Sequence, residues 1–291
     1  MKQKLAVVGL LVVTMIWGGG FVASDMALAS MKPFQIMVIR FFLAAVLMGL
    51  LSLKSLKNVN KDEVLAGIAM GTALFAAFAL QIIGLQYTTP SKNAFLTALN
   101  VVMVPFISYL VLKKKVGKRG IAGALLSVAG AAILSLNGDL SLGLGDGLTL
   151  LCAVGFAVQI FLTGEFVRKY RASVINFVQM LTAFVLSLIF VVVCGETGIA
   201  ATRAGWLSVL YLGVVSTTVC YLLQTACQKY VDGTKSAIIL SMESVFGTVF
   251  SILILHEVVT VRMVIGCAVI LTAVIISNLG EEANEVSGDH L

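Results

Sequence analysis

The stretch AIILSMESVFGTVFSIL, residues 237–253, is apolar or small almost throughout and carries one carboxylate, Glu243. Apolar runs recur along the whole chain, and each is long enough to cross a hydrocarbon core of ~30 Å. Hydrophobic residues make up 59% of the 291 residues, charged residues make up 12%, and the mean hydropathy is +1.05. A soluble globule of this length needs more surface charge. We therefore predict an all-α integral membrane protein that crosses the bilayer many times.

Ten apolar segments qualify as membrane spans, and short loops separate them. The first follows Lys2 and Lys4, as a signal peptide would, but its length, Trp17 and its glycines favour a retained span. The predicted limits are 5–23, 33–53, 63–84, 92–112, 119–137, 147–166, 173–194, 205–227, 235–255 and 262–279.

Lysine and arginine alternate sharply between successive loops. One side, which we call the basic face, holds fifteen of them and the opposite face holds four, while Arg40 lies inside a span. The positive-inside rule places the basic face and both termini in the cytoplasm. The net charge of +6 therefore reflects topology and gives no reason to expect a nucleic-acid partner. The basic-face residues are Lys2, Lys4, Lys54, Lys57, Lys61, Lys113, Lys114, Lys115, Lys118, Arg119, Arg168, Lys169, Arg171, Lys229 and Lys235.

The two halves of the chain resemble each other. A shift of 143 residues aligns their middles, and a shift of 139 aligns their beginnings. Matched pairs are Gln81 with Gln224, Tyr87 with Tyr230, Lys92 with Lys235, Gly123 with Gly266, Trp17 with Phe156, and Arg40 with Gln179. Each half holds five spans, so the second half enters the membrane inverted, which is a transporter architecture. We predict two inverted five-helix repeats, 1–140 and 141–280, around a central cavity, and a disordered acidic cytoplasmic tail, 281–291.

Several spans carry polar groups on one face at helical spacing, as expected of side chains that avoid lipid. Hydrogen bonding between helices is one explanation, and Gly67-x-x-x-Gly71 is a packing element of that kind. For the set on six spans we favour a lined cavity. The residues predicted to bind substrate are Glu243, Asn100, Trp17, Phe21, Gln81, Asn93, Phe156, Gln159, Tyr221 and Gln224.

Two charged residues lie inside spans, where each costs about 2.5–3.5 kcal/mol at the bilayer centre. Glu243 has three open roles: binding a cationic substrate group, exchanging a proton coupled to transport, or a structural role in which it is hydrogen-bonded or protonated. Its equivalent in span 4 is Asn100, so any charge chemistry here is asymmetric. Arg40 either meets a substrate carboxylate or phosphate, ties span 2 to a neighbouring helix, or pairs with Glu243 as a charge partner.

Signatures of enzymes are absent from the sequence. It contains no nucleotide-binding P-loop, no H-E-x-x-H and no G-x-S-x-G. The five cysteines form no C-x-x-C pair, and the two histidines lie far apart. We expect no catalytic residue, no metal site and no cofactor.

Three motifs carry a resemblance to a known family. WGGGFVAS, residues 17–24, resembles the first-span signature of the EamA type of the drug/metabolite transporter superfamily. PFQIMVIRFFLAA, residues 33–45, is similar to the family's second span, and LHEVVTVRMVIGCAVILTAVIIS, residues 255–277, to its closing motif. The resemblance covers essentially the whole chain.

The sequence departs from the family pattern at two positions. Lys114 stands where the first half often has an acid equivalent to Glu257. Ser244 replaces a common proline, which predicts a straighter span 9.

The resemblance implies a ten-helix basket with a cavity lined by spans 1, 3, 4, 6, 8 and 9. It also implies export or exchange of small organic solutes such as amino acids, metabolites or drugs.

We expect a secondary transporter of the bacterial cell membrane, most simply an exporter that works by alternating access. Proton exchange and simple facilitation are both open. The alternatives are a nucleotide-sugar or phosphorylated-metabolite exchanger, a membrane scaffold or sensor, and a lipid flippase. The expected partners are a solute, the lipid bilayer and, if coupled, protons, and the protein is a monomer or a weak homodimer.

Overall fold

The structure, a computed structural model, describes residues 2–113, 116–135, 142–227, 230–231 and 239–288. All regular elements in these ranges are helices. Those of the first half are α1 (Lys2–Leu28), α2 (Pro33–Leu56), α3 (Lys61–Leu85), α4 (Pro90–Thr97), α5 (Asn100–Leu112) and α6 (Lys118–Ser135).

The second half repeats this pattern with one irregular helix. Its elements are α7 (Leu144–Phe166), α8 (Ala172–Val193), α9 (Arg203–Leu210), a π-helix (Tyr211–Val219), α10 (Cys220–Cys227), α11 (Glu243–Leu255) and α12 (Val261–Gly288). Seven helical stretches in the described ranges are long and apolar enough to cross a membrane, and two shorter apolar helices cover residues 239–255 and 261–276. With α6 they account for the ten predicted spans, whose limits differ from these helices by a few residues. The chain is a multi-pass, all-α membrane protein.

The end of α12 differs from the sequence-based expectation. We expected disorder from Glu281, but the helix continues to Gly288. Glutamate and alanine are good helix formers, and residues 281–285 contain three glutamates and one alanine. Residues 289–291 lie outside the described ranges.

Span 9 is interrupted, so the prediction of a straighter helix is wrong. A turn at Met242 separates residues 239–241 from α11, and the Met242 N–H donates to the Ile239 carbonyl at 3.1 Å. The Ser244 hydroxyl donates to the Ser241 carbonyl at 2.8 Å. Such side-chain bonds offer a carbonyl an alternative to the regular helical partner, so a break forms here without proline.

Span 4 is interrupted at the equivalent place. α4 ends at Thr97 and α5 begins at Asn100, and the Leu99 N–H donates to the Leu96 carbonyl at 3.3 Å. Asn100 and Glu243 are thus equivalent residues that begin equivalent half-helices. Non-helical backbone at membrane depth is tolerated where protein or a cavity covers it, so both breaks point to the interior.

The two repeats pack with two-fold symmetry. α2 packs against its own counterpart α8, and α6 packs against its counterpart α12. α3 packs against α7, and the equivalent pair joins α1 to the span made of α9, the π-helix and α10. α1 packs against α11, and the equivalent pair joins α7 to α4 and α5. Exchange of the repeats preserves these pairs, as inverted repeats around a central axis require.

Close approach of α3 to α8 depends on two glycines. A Cβ atom on Gly67 would lie 2.5 Å from the Val178 Cβ, and one on Gly71 would lie 2.6 Å from the Gln179 carbonyl oxygen. The helices therefore contact each other along their backbones, which confirms the packing role predicted for this motif.

On the basic face, an ion pair joins the repeats. Arg171 Nε donates to Glu63 Oε1 at 2.7 Å, and Arg171 Nη2 donates to Glu63 Oε2 at 2.6 Å. The same guanidinium donates to the carbonyls of Ser55 at 2.8 Å and Asn58 at 2.6 Å. Its hydrogen bonds to Glu63 raise the pKa of Arg171, so the guanidinium stays charged at any working pH. This contact fixes the start of α8 to the loop before α3.

On the opposite face, a second clamp fixes the start of α2 to the loop after α8. The Phe34 N–H donates to Glu196 Oε2 at 2.9 Å. The Gln35 side-chain amide donates to the carbonyls of Glu196 at 2.7 Å and Gly198 at 2.8 Å. The α2–α8 pair is therefore held at both membrane faces.

The glycine contact between α3 and α8 gives a stability prediction. G71A adds a methyl group where no space exists, and we expect a destabilisation of about 1–3 kcal/mol, as for other overpacked sites. G164A is the matched control, because a Cβ atom on this helical glycine would meet nothing within 4 Å. We expect G164A to be neutral or to stabilise by up to ~1 kcal/mol. Thermal unfolding of the purified variants, followed by circular dichroism, measures both. Equal melting temperatures would contradict the packing role of Gly71.

Candidate functional site

A cavity between the two repeats encloses about 640 Å³ of empty space, its opening included. Its lining comes from α1, α2, α3, α4, α5, α7, the π-helix, α10 and α11. All ten residues predicted to bind substrate line this central cavity, and so does Arg40. The structure thus brings the polar faces of six spans to one place, as the lined-cavity interpretation requires.

Glu243 lies partly buried on the cavity wall as the first residue of α11. Within the described residues its carboxylate makes no hydrogen bond and no ion pair. A negative charge at a helix N-terminus is stabilised by the helix dipole, by about 0.3–1 kcal/mol. The break at Met242 therefore offsets part of the cost of an acid at this depth and leaves the carboxylate free for a ligand.

Arg40 is 3% exposed and projects from α2 into the same cavity. Its Nε donates to Thr217 Oγ1 at 2.6 Å, and its guanidinium carbon lies 4.0 Å from the ring centroid of Phe78. Among the described residues it makes no further hydrogen bond and no ion pair, so the proposed pair with Glu243 is not formed in this structure. One hydrogen bond and two rings, those of Phe78 and, at 6.0 Å, Phe41, orient the group, and its terminal nitrogens stay available.

The π-helix supplies the partner of Arg40 and fixes an aromatic wall. Thr217 Oγ1 donates to the Leu212 carbonyl, five residues back, at 2.7 Å. The Trp17 indole donates to the Ser216 carbonyl at 2.9 Å, and its ring lies 5.6 Å from that of Tyr221. π-Helices are rare and often mark functional sites. Here the altered helix aims a hydroxyl at Arg40 and a carbonyl at Trp17.

Amides and hydroxyls form the wall of α3, α4 and α7. Gln81 Nε2 donates to Thr97 Oγ1 at 3.2 Å, and Asn93 Nδ2 donates to Thr149 Oγ1 at 2.9 Å. The Oδ1 atoms of Asn93 and Asn100 are buried and have no hydrogen-bond partner among the described residues. Leaving a buried polar atom unpaired costs about 1–3 kcal/mol, so these oxygens are places where a ligand or water can donate.

Gln159 connects the cavity to the equivalent of Arg40. Its Nε2 donates to Gln179 Oε1 and to Thr163 Oγ1, both at 3.0 Å. One repeat therefore holds an amide where the other holds a guanidinium, and the symmetric frame carries asymmetric chemistry.

The arrangement can bind and orient a ligand through charge, amide and ring contacts. Within the described part of the chain, no three His, Cys, Asp or Glu side chains cluster as a metal site. The described residues that line the cavity include one carboxylate and one guanidinium, and neither a histidine nor a cysteine.

Sequence reasoning did not select several residues that line the cavity. Some continue the predicted stripes, since Ser24 lies seven residues after Trp17 on the same helical face. Ser216 gave no such signal, because the π-helix changes the spacing. Phe78 and Thr97, which also line the cavity, lie on the stripes of spans 3 and 4 in the sequence. Gln228 and Ser236 extend the stripes of spans 8 and 9 but lie outside the described residues. The residues that sequence reasoning did not select are Gly20, Ser24, Ile82, Leu85, Ile160 and Ser216.

Two carboxylates of the second repeat hold α4, which carries one cavity wall. The Ser91 N–H and hydroxyl donate to Glu257 Oε2 at 3.3 and 2.7 Å. Lys92 Nζ lies 3.4 Å from Asp146 Oδ2. We call these contacts of Ser91 and Lys92 the α4 clamp. Because α4 is a short half-helix, its position depends on this clamp and on the break before Asn100.

Comparison with known proteins finds a matching family model and several sequence relatives. A model described as the EamA-like transporter family matches residues 4–136 and again 143–279. A protein from Archaeoglobus fulgidus, described as an uncharacterized transporter, is 35% identical over 278 residues, covering 96% of this chain and 87% of that protein. An uncharacterized transporter from Clostridium kluyveri is 26% identical over 275 residues, covering 88% and 87%.

A solved structure is also similar. A crystal structure matches this fold with a TM-score of 0.72 at 17% sequence identity, covering 96% of this chain and 99% of that one. At this identity the likeness concerns the fold alone.

The α4 clamp predicts a local effect. E257Q keeps the shape of the side chain and removes its charge, and a hydrogen bond to a charged group contributes about 1.5–3 kcal/mol. We therefore expect the amides of residues 88–97 to exchange roughly tenfold faster or more with deuterium. E165Q is the control, because the Glu165 side chain makes no hydrogen bond or ion pair within the described residues. Hydrogen-exchange mass spectrometry measures both, and unchanged protection of α4 in E257Q would rule out the clamp.

Proposed function

Because this chain belongs to the EamA-like transporter family, we propose that it is a secondary transporter that moves small organic solutes by alternating access. The substrate site is the central cavity. Its lining comes from both inverted repeats, and inverted repeats give inward-open and outward-open states of similar energy. The family resemblance supports export across a bacterial cell membrane. The distribution of basic residues between the loops supports an orientation with both termini in the cytoplasm. One chain encloses the cavity, which supports a functional monomer.

The observation that carries the proposal is the pair of separate charges in one cavity. Arg40 and Glu243 both line it and do not pair with each other. An uncompensated charge is costly in a medium of low dielectric constant. A solute that carries a carboxylate and an ammonium group satisfies both residues at once. We therefore place small zwitterions, such as amino acids, first among the substrates.

The rest of the lining fits the remainder of such a solute. Aromatic rings of Trp17, Phe21, Phe156 and Tyr221 offer apolar contact, and amide oxygens offer acceptors. Among the described residues that line the cavity, Arg40 is the single basic side chain. A nucleotide-sugar or phosphorylated-metabolite exchanger needs more positive charge at this site, so we rank that alternative lower. A scaffold, a sensor and a lipid flippase remain lower alternatives, since none of them needs two opposite charges in the cavity.

Substrate analogues that lack either the carboxylate or the amine test the roles of Arg40 and Glu243 separately. Proteoliposomes are assayed with a zwitterionic amino acid, its amide, which lacks the carboxylate, and its deaminated acid. We expect R40Q to weaken transport of the zwitterion by roughly 10–100-fold, the loss of one charged hydrogen bond, and to leave the amide unaffected. R40K, which keeps the charge, retains part of the activity.

The control for this test is R203Q, which changes an exposed arginine at the start of α9. Equal flux of all three compounds in R40Q and R203Q would contradict carboxylate binding by Arg40. Absence of any solute flux in the wild type, under every gradient, would contradict the transporter itself.

A second test concerns protons. If Glu243 exchanges the coupled proton, E243Q no longer moves protons with the solute. If Glu243 only binds the ammonium group, solute flux in the wild type is not linked to protons and E243Q weakens transport of the zwitterion. A pH-sensitive dye inside the proteoliposomes measures proton movement during solute flux. E165Q serves again as the matched control. Normal proton-linked transport in E243Q would assign the carboxylate to architecture.

A further inference from the structure

A second cavity lies between α5, α6 and α7 and encloses about 1090 Å³ of empty space. Within the described ranges it shares no lining residue with the central cavity. Its described lining is apolar apart from Ser127, and Phe106, Val128 and Leu150 are typical of it. We call it the lateral cleft.

The lateral cleft opens toward the surface of the helices. Leu110 is 66% exposed and Val128 is 69% exposed, and both line it. At this depth in a membrane the surroundings are hydrocarbon. Apolar walls without a partner forfeit their dispersion contacts. The cleft therefore suits a long apolar occupant supplied by the bilayer.

The connection between α5 and α6, two of the helices that form the cleft, is strongly basic. Residues 113–119 read KKKVGKR, with five basic residues among the seven. Lys113 follows α5, Lys118 begins α6, and both are exposed. Clusters of 4–8 Lys and Arg beside membrane spans attract anionic lipid headgroups. Charge complementarity therefore indicates that the apolar occupant of the cleft carries an anionic headgroup.

The geometry of α5 relates the two features. Its cleft wall runs from Leu99 to Leu110, about 16 Å at 1.5 Å per residue, and Leu110 lies three residues before Lys113. This length is close to half of a ~30 Å hydrocarbon core. One acyl chain can therefore lie along the wall while its phosphate reaches the basic connection.

We propose that the lateral cleft binds one anionic phospholipid, with an acyl chain between α5, α6 and α7 and its phosphate at Lys113 and Lys118. In the proposed orientation this lipid belongs to the cytoplasmic leaflet. α5 and α7 separate the cleft from the central cavity, since Asn100 and Phe156 line the latter. A bound acyl chain therefore supports the back of two cavity walls.

Brominated lipids test the proposal through short-range quenching of tryptophan fluorescence. V128W places the reporter on the cleft wall, and L125W places it elsewhere on the same helix. Leu125 is also 69% exposed and does not line the cleft. Full-length protein is reconstituted into bilayer discs of phosphatidylcholine with a small fraction of acyl-brominated phosphatidylglycerol. The wild-type signal is subtracted as background.

We expect quenching of V128W to saturate at a low fraction of brominated phosphatidylglycerol, while quenching of L125W follows the bulk fraction. In V128W combined with K113Q and K118Q, we expect the preference for the anionic lipid to fall by about tenfold or more, since each basic residue near an anionic surface contributes roughly fivefold in affinity.

Three results would overturn the proposal. Equal quenching of V128W and L125W at every fraction excludes a site in the cleft. Equal quenching of V128W by brominated phosphatidylcholine excludes selection of an anionic headgroup. Protection of V128W from both lipids, together with a dimer by size measurement, assigns the cleft to a second copy of this chain.

Discussion

Hydrocarbon offers no hydrogen bonds, and this constraint shapes the whole molecule. Each polar side chain in a span must find a partner within the protein or face an enclosed space. The chain meets this requirement by turning the polar stripes of six spans toward one axis. The breaks in spans 4 and 9 obey the same rule, because the residues that follow them, Asn100 and Glu243, line the cavity. The clamps that join the repeats place their charges at the membrane faces.

The frame is symmetric, whereas its chemistry is not. α2 and α8 are equivalent and pack together, but the first carries Arg40 and the second carries Gln179. The same holds for Asn100 and Glu243, which begin equivalent half-helices. Each charge has a neutral amide as its counterpart. The symmetric parts support a frame with two related states, and the asymmetric parts give the cavity a guanidinium on one wall and a carboxyl group on another.

Much of this architecture is predictable from the sequence, because spans and stripes arise from periodicity in single helices. The lengths of apolar runs mark the ten spans, and a spacing of three to four residues brings Trp17 and Phe21 to one face. The π-helix leaves no such pattern, and neither do helix breaks that form without proline. Both depend on hydrogen bonds such as those of Ser244 to Ser241 and of Trp17 to Ser216. Contacts between repeats, such as that of Glu257 with Ser91, depend on how helices distant in the sequence pack together. The sequence also could not show that Arg40 stacks on Phe78.

The self-pairing of α2 with α8 and of α6 with α12 has a consequence for the history of the chain. These are contacts between an element and its own copy, as in the isologous interface of a two-fold dimer. Each half therefore presents a surface that is complementary to itself in the opposite orientation. In a dimer of identical chains, a residue such as Arg40 would occur twice around the axis and confront its own charge. Covalent fusion removes that restriction, because each copy can change alone. A guanidinium in one half can then be matched by a glutamine in the other, and a symmetric assembly gains a polar direction.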